Sequence, residues 1–293
     1  MHGYRLTSRG KFALTFLIML VCLAVSINLM DIAKASDKSE YIKQVDTIYL
    51  DKAISAVYEL DIRKTAMVYN ERLKLDDEAL KEDKEFLSIN VEDIKSYDKS
   101  KIAFLTFDDG PSKSVTPEIL DVLDNYGIKA TFFVLGNMCE KNGIVLKALI
   151  EKGHSIGIHS YSHRLQEMLI SKESFLNEIV MTEKALKEHL GEDFKTRLFR
   201  FPGGSFEDYK MQYMDVLNEH GYISIDWNAL TGDTEYLNPT PDILLNRLKE
   251  TTINKDKIIV LMHDSDTRHV TAEVLPDVIE YLISEGYEFA ILK

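Results

Sequence analysis

Cysteine is nearly absent from this chain. Two occur in 293 residues, Cys22 inside an apolar run and Cys139 alone further on. That excludes a disulfide framework and a cysteine-based zinc site. It does not exclude export, because a large core folds without covalent staples. Proline and glycine are both missing from residues 36–100, so that stretch carries none of the usual turn chemistry. Positive charge is in deficit, with 35 Lys and Arg against 48 Asp and Glu and a formal net charge of -13. Non-specific binding to nucleic acid, which draws on Lys and Arg, is a poor fit. Tryptophan occurs once, as Trp227. What remains is ordinary for a globular protein: 45% hydrophobic and 28% charged residues, enough for one large domain plus an appendage.

The N-terminus has the one long hydrophobic run. Arg5, Arg9 and Lys11 precede a mostly apolar stretch from Phe12 to Met30. A basic flank before an apolar run of about 20 residues predicts a membrane span with its basic end in the cytoplasm. Ala33-Lys34-Ala35 also offers a signal-peptide cleavage site. Residues 1–35 are therefore expected to be a signal-anchor or a signal peptide. Either reading puts the rest of the chain outside the cell membrane, single-pass if uncleaved and secreted if cut after Ala35. Residues 36–100 show apolar positions at helical spacing, as in Ile48, Leu50, Ala53, Ile54, Val57 and Tyr58. They read as a charged helical stem and a polar connector from Leu75 to Ser100.

From residue 101 the pattern becomes strand, helix, strand. Apolar runs at Ile102–Phe107, Thr131–Leu135, Ser155–His159, Leu198–Phe201, Tyr222–Asp226, Lys257–Met262 and Tyr287–Leu292 read as strands. Amphipathic stretches at Pro117–Tyr126, Ile144–Lys152, Lys172–Leu190, 208–220, 241–252 and 270–285 read as helices. This alternation predicts an α/β domain over 101–293, with a parallel sheet that a barrel would close. Ionisable residues gather at the C-terminal ends of these strands: Asp108, Asp109, His159, His163, Arg200, Asp226, Asp233 and His263. In parallel α/β folds that is the face where active sites are built.

No motif is decisive alone. Thr106-Phe107-Asp108-Asp109-Gly110-Pro111 places two carboxylates side by side, which repel unless a cation or proton separates their roles. An ordinary acidic turn has the same look. His159 and His163 are four apart, a spacing that one helical turn would bring to a single ion, although surface histidine pairs are common. His154 reads as structural, and His2, His189, His220 and His269 lack a comparable context. Arg200-Phe201-Pro202-Gly203-Gly204 offers a guanidinium that can clamp a carboxylate, followed by glycines whose N–H groups can approach a ligand. Leu261-Met262-His263-Asp264 ends an apolar strand in a histidine, either a general acid or a packed core-edge residue.

In combination these motifs resemble the polysaccharide deacetylase family, also called the NodB-homology or chitin deacetylase family, carbohydrate esterase family 4. The similarity covers about 101–293. TFDDGP, H-S-x-x-H, R-x-P-x-G and L-x-H-D stand in the family's order. The resemblance implies a distorted (β/α)7-type barrel and a metal-dependent hydrolase that removes N-acetyl groups from an extracellular amino-sugar polymer. N-acetylglucosamine of peptidoglycan comes first among substrates. Chitin oligomers, an exopolysaccharide and a non-catalytic wall-glycan-binding module are the alternatives. By the same resemblance Asp108 is the base, Asp109, His159 and His163 hold a divalent metal, and Arg200 orients the base. His263 is the acid and Leu261 lines the acetyl pocket. Zinc is the expected ion, with cobalt, nickel or iron as other occupants. Pro202, Gly203 and Gly204 are expected to border the substrate. One motif departs: where the family shows D-x-x-D-W, this chain has Leu230-Thr231-Gly232-Asp233-Thr234. Asp233 matches the second aspartate, and Trp227 is expected to supply the missing aromatic wall.

Overall fold

The computed structural model describes residues 86–97 and 101–293. The run Phe12–Met30, most of the expected stem and residues 98–100 lie outside the described residues. Among the described residues, no helix is long and apolar enough to cross a membrane.

The core of the fold is one parallel sheet. In chain order its main strands are β2 (Ile102–Asp108), β3 (Thr131–Leu135), β4 (Ser155–Ser160), β5 (Leu198–Phe199), β6 (Ile223–Ser224), β7 (Ala229–Leu230) and β8 (Lys257–His263), after a short β1 (Ser88–Ile89) outside the sheet. Their order across the sheet is β6-β5-β4-β3-β2-β8-β7, and every pairing is parallel. Helices connect them on the outside. The first, Val115–Tyr126, buries Val115, Ile119, Leu120 and Leu123 and stops at Gly127, whose φ of 64° suits glycine. The longest, Lys172–Leu190, is capped by the Ser171 hydroxyl, which accepts from the Ser174 N–H.

Period-two alternation along β2 separates two cores. Ala103, Leu105 and Phe107 face the helices, whereas Ile102 and Phe104 face the inside of the curl with Phe133, Leu198, Ile225 and Leu292. Thr106 and Asp108 continue the inward stripe at the C-terminal end. The interior is thus oily at one end and polar at the mouth.

The barrel expectation holds as a curled parallel sheet, a half-barrel, and its details differ from the sequence reading. The two edge strands, β6 and β7, are consecutive in the chain, joined only by residues 225–228. A parallel return beside β6 needs a crossover of roughly a dozen residues. Four cannot supply it, so the chain bends and passes from β5 to β8: the Ile225 N–H donates to Phe199 O and the Asn228 N–H to Ile259 O. The expected last strand over Tyr287–Leu292 is a correction. It splits into β9 (Glu288–Phe289), paired with β2, and β10 (Ile291–Leu292), paired with β1. Residues 86–97, read as part of the connector, instead pack Ile89, Val91, Ile94 and Tyr97 against the inner core.

Candidate active site

Arg200 organises the mouth. Its side chain is fully buried, and so, at 2% exposure, is Asp108. The guanidinium donates from Nη1 to Asp108 Oδ1 at 2.8 Å and to Thr106 Oγ1 at 2.8 Å, and from Nε to Ile225 O at 3.0 Å. Its carbon lies 4.0 Å from the centre of the Phe133 ring. A buried guanidinium is tolerable only with such partners. Burial pushes the Asp108 carboxyl up from its ordinary value, and the charges of Arg200 and His263 pull it back. Because Oδ1 is occupied by Arg200, Oδ2 is the oxygen left facing the site.

Asp109, His159 and His163 come together beside it. Asp109 Oδ1 lies 3.3 Å from His163 Nε2 and 3.7 Å from His159 Nε2. Donor atoms of all three lie within 4.8 Å of one another. Tetrahedral ligands about 2.1 Å from a zinc ion stand roughly 3.4 Å apart, so the set fits such an ion. Asp109 Oδ1 is buried with no hydrogen-bond partner, the kind of orphaned acceptor a cation satisfies. His159 is pushed down to about 3, chiefly by burial, and is neutral. Its Nδ1 faces Arg200 O at 2.8 Å, which places the ring proton there and leaves the Nε2 lone pair toward Asp109.

The route to this cluster corrects one expectation. The two histidines do not share a helical turn. His159 ends β4, and His163 sits in the following loop at φ 60°, where its N–H donates to Ser160 Oγ at 2.9 Å. Asp109 is likewise at φ 77°. Left-handed backbone at non-glycine residues is uncommon, and here two such residues turn their side chains inward toward each other.

His263 faces the cluster from the end of β8. Its Nδ1 meets Asp233 Oδ1 at 2.9 Å, and its N–H donates to Asp233 Oδ2 at 2.7 Å. Thr271 Oγ1 donates to that same oxygen at 2.8 Å. Burial opposes a charge on His263, but the hydrogen bond and charge of Asp233, aided by Asp108 and Asp109, hold it up at about 9.

The remaining expected residues line the mouth or frame it. Leu261, 8% exposed, lies on β8 two residues before His263. Pro202 is buried, while Gly203 at φ 72° and Gly204 at φ 81° form the turn after Arg200. The Gly204 N–H is taken by Phe201 O at 2.8 Å. Trp227, at the bend between β6 and β7, lies 5.8 Å from the Arg200 guanidinium carbon. Asp226 is not in the cluster: its carboxylate accepts from the N–H and hydroxyl of Ser205. His154 stays apart, a buried residue whose Nδ1 accepts from the Ala130 N–H.

Several supporting residues escaped the sequence reading. Glu178, on the helix Lys172–Leu190, accepts from the N–H groups of Tyr161 and Ser162 at 2.9 and 2.8 Å and from the Ser162 hydroxyl at 3.0 Å. It fixes the loop that carries His163. Buried Lys210 donates to the carbonyls of Pro202 and Gly204 and holds the turn after Arg200. Asp264 is buried under Gly110 and bonded to the Thr116 hydroxyl, and its N–H donates to Asp108 O at 3.0 Å. Only Asp264 had a visible signal, its place directly after His263.

Known proteins resemble this chain in sequence and fold. The family model described as polysaccharide deacetylase matches residues 95–224. A peptidoglycan-N-acetylglucosamine deacetylase, PgdA, of Listeria monocytogenes is 35% identical over 226 residues, 75% of this chain but 45% of its own length. The chain thus spans less than half of that relative. A peptidoglycan-N-acetylglucosamine deacetylase of Bacillus cereus is 32% identical over 194 residues, 66% of this chain and 87% of its own length. A solved Streptococcus mutans CE4 esterase superposes with a TM-score of 0.66 at 34% identity, covering 71% of this chain and 92% of that one. By its motifs, its curled sheet and these likenesses, the chain belongs to the polysaccharide deacetylase family.

Proposed function

We propose that this protein is a metal-dependent hydrolase that removes N-acetyl groups from an extracellular amino-sugar polymer, with N-acetylglucosamine of peptidoglycan as the first candidate. The observation that carries the reading is the placement of a buried, Arg-held carboxylate, Asp108, between an Asp-His-His set and a protonated histidine. The names of the Listeria and Bacillus relatives favour peptidoglycan over other glycans. Asp109, His159 and His163 would hold the ion, zinc first. When bound, it supplies Lewis-acid polarisation of the acetamide carbonyl and acidifies water.

The chain's own groups do the rest. Asp108 Oδ2 takes the proton of the attacking water, while Arg200 on Oδ1 keeps the carboxylate oriented and ionised. The Gly203 N–H, in the turn pinned by Lys210, donates to the developing oxyanion. His263 keeps Nδ1 on Asp233 and gives the proton at Nε2 to the departing amine nitrogen. Leu261 lines the space for the acetyl methyl group. The N-terminal run Phe12–Met30 would tether this domain at the outer face of the cell membrane, or release it if cut after Ala35.

The test is acetate release from peptidoglycan, chitin oligomers and poly-N-acetylglucosamine, each with and without chelator. The reading expects chelator-sensitive acetate from at least one, peptidoglycan foremost. Polymer binding with no acetate in zinc-replete buffer would make the protein a wall-binding module instead.

A further inference from the structure

Phe206 is 62% exposed beside the active-site mouth, yet it is held in place. Its ring lies over Gly204, where any side chain would strike both it and, at 3.0 Å, the Trp227 ring. Phe206 meets Trp227 edge to face, with centroids 5.2 Å apart and planes at 87°. The two residues come from different segments, and the segments are tied together. Ser205, just before Phe206, donates its N–H and hydroxyl to the carboxylate of Asp226, just before Trp227. Buried Lys210 anchors the same turn from below through Pro202 O and Gly204 O. A solvent-facing phenylalanine braced this way is not a stray surface residue. Exposed apolar surface rimmed by polar groups at a cleft marks a ligand contact.

Trp227 also fixes where the surface lies. Its ring is 5.8 Å from the Arg200 guanidinium carbon, and that guanidinium holds Asp108. A ligand ring resting on Phe206, with Trp227 as its side wall, is therefore next to the reacting groups. Pyranose rings present flat C–H faces with hydroxyls at the edge, which suits an aromatic surface framed by polar loops. Resting on the deacetylase reading above, we propose that Phe206, braced by the Trp227 ring at right angles to it, forms a sugar-stacking platform that seats a pyranose ring of the glycan chain beside the catalytic mouth, making Phe206 a specificity-determining residue.

Trp227 is the only tryptophan in the chain, so its emission reports on the platform directly. The experiment adds an N-acetylglucosamine tetramer to the zinc-loaded full-length protein and reads tryptophan emission on mixing, before turnover. Acetate release from the same tetramer is followed in parallel. The wild type is expected to show a saturable change in emission. Phe206→Ala should weaken it and raise KM roughly three- to tenfold, with kcat changed less, since an aromatic contact of this kind contributes up to about one decade of affinity. Phe206→Tyr, which keeps the ring, should restore both.

Superimposable binding curves and equal KM for wild type and Phe206→Ala would overturn the platform, as would no emission change in the wild type. The two readings fail separately. Acetate release without Phe206 dependence removes the platform and leaves the deacetylase. Phe206-dependent binding with no acetate from the tetramer or from peptidoglycan removes the deacetylase and leaves the platform, and loss of the binding signal together with no acetate from either substrate removes both.

Discussion

Replacing Asp233 by Asn takes away the charge that keeps His263 protonated while preserving much of the side chain's shape. His263 stands at about 9 against an ordinary 6.5: burial lowers it, and the hydrogen bond and charge of Asp233 outweigh burial. Without the carboxylate charge burial is opposed only by the weaker pull of Asp108 and Asp109, so His263 should fall toward its ordinary 6.5. At about pH 7.5 the protonated fraction then drops from nearly all to about one-tenth, and kcat/KM should drop about tenfold with it. A cation beside Asp109 pushes His263 down in both proteins, so the difference between them is the informative quantity. The assay is acetate release as a function of pH, with zinc saturating. The alkaline limb should move acidward by two units or so in the variant. Stability should follow the same pair. Because folding raises the affinity of His263 for its proton, its contribution is fully present below 6.5 and lost as pH rises through about 9. The span corresponds to roughly 3 kcal/mol, seen in the wild type and missing in Asp233→Asn. An alkaline limb that does not move in Asp233→Asn would refute the assignment of His263 as the acid held by Asp233.

Other variants probe the supports. Glu178→Ala frees the loop of His163 and should weaken zinc affinity roughly ten- to a hundredfold in a competition titration. Glu178→Gln, which keeps one acceptor, should recover most of it, and unchanged affinity in the Ala variant would deny Glu178 that role. Gly110→Ala drives a methyl group into the Asp264 carboxylate and should cost about 1–3 kcal/mol in denaturant unfolding. A variant as stable as the wild type would show that the packing between the TFDDGP turn and β8 is looser than described. Asp109→Ala removes the carboxylate that faces the Nε2 atoms of both histidines and should abolish stoichiometric zinc binding by equilibrium dialysis.

The candidate site was legible because parallel strands deliver their C-terminal ends to one face, which groups Asp108, His159, Arg200 and His263 from the sequence alone. Long apolar runs such as Ile102–Asp108 and Lys257–His263 were equally plain. Two-residue strands were not. Ala229–Leu230 has too little length for a period, and its membership in the sheet is decided by the bend at residues 225–228 and by β8. The run over Tyr287–Leu292 is apolar enough to read as one strand, but its two halves bond to different partners. His163 misled because spacing of four is a helical signal, whereas a positive φ at a histidine leaves no trace in the sequence. Glu178 and Lys210 were silent for another reason. Each acts through contacts with a distant or folded-back segment, and an acidic or basic residue on an amphipathic helix ordinarily faces water.

The central claim is that Asp108 removes a proton for a hydrolysis whose cation sits on Asp109, His159 and His163. Asp108→Asn tests it most directly, with zinc content and acetate release measured on the same preparation. Because Asp108 Oδ2 lies 3.8 Å from His159 Nε2 and outside the Asp-His-His set, the variant should retain one zinc per chain. Its acetate release should fall at least a hundredfold, the scale of a lost general base. Full zinc occupancy with near wild-type acetate release would contradict the account.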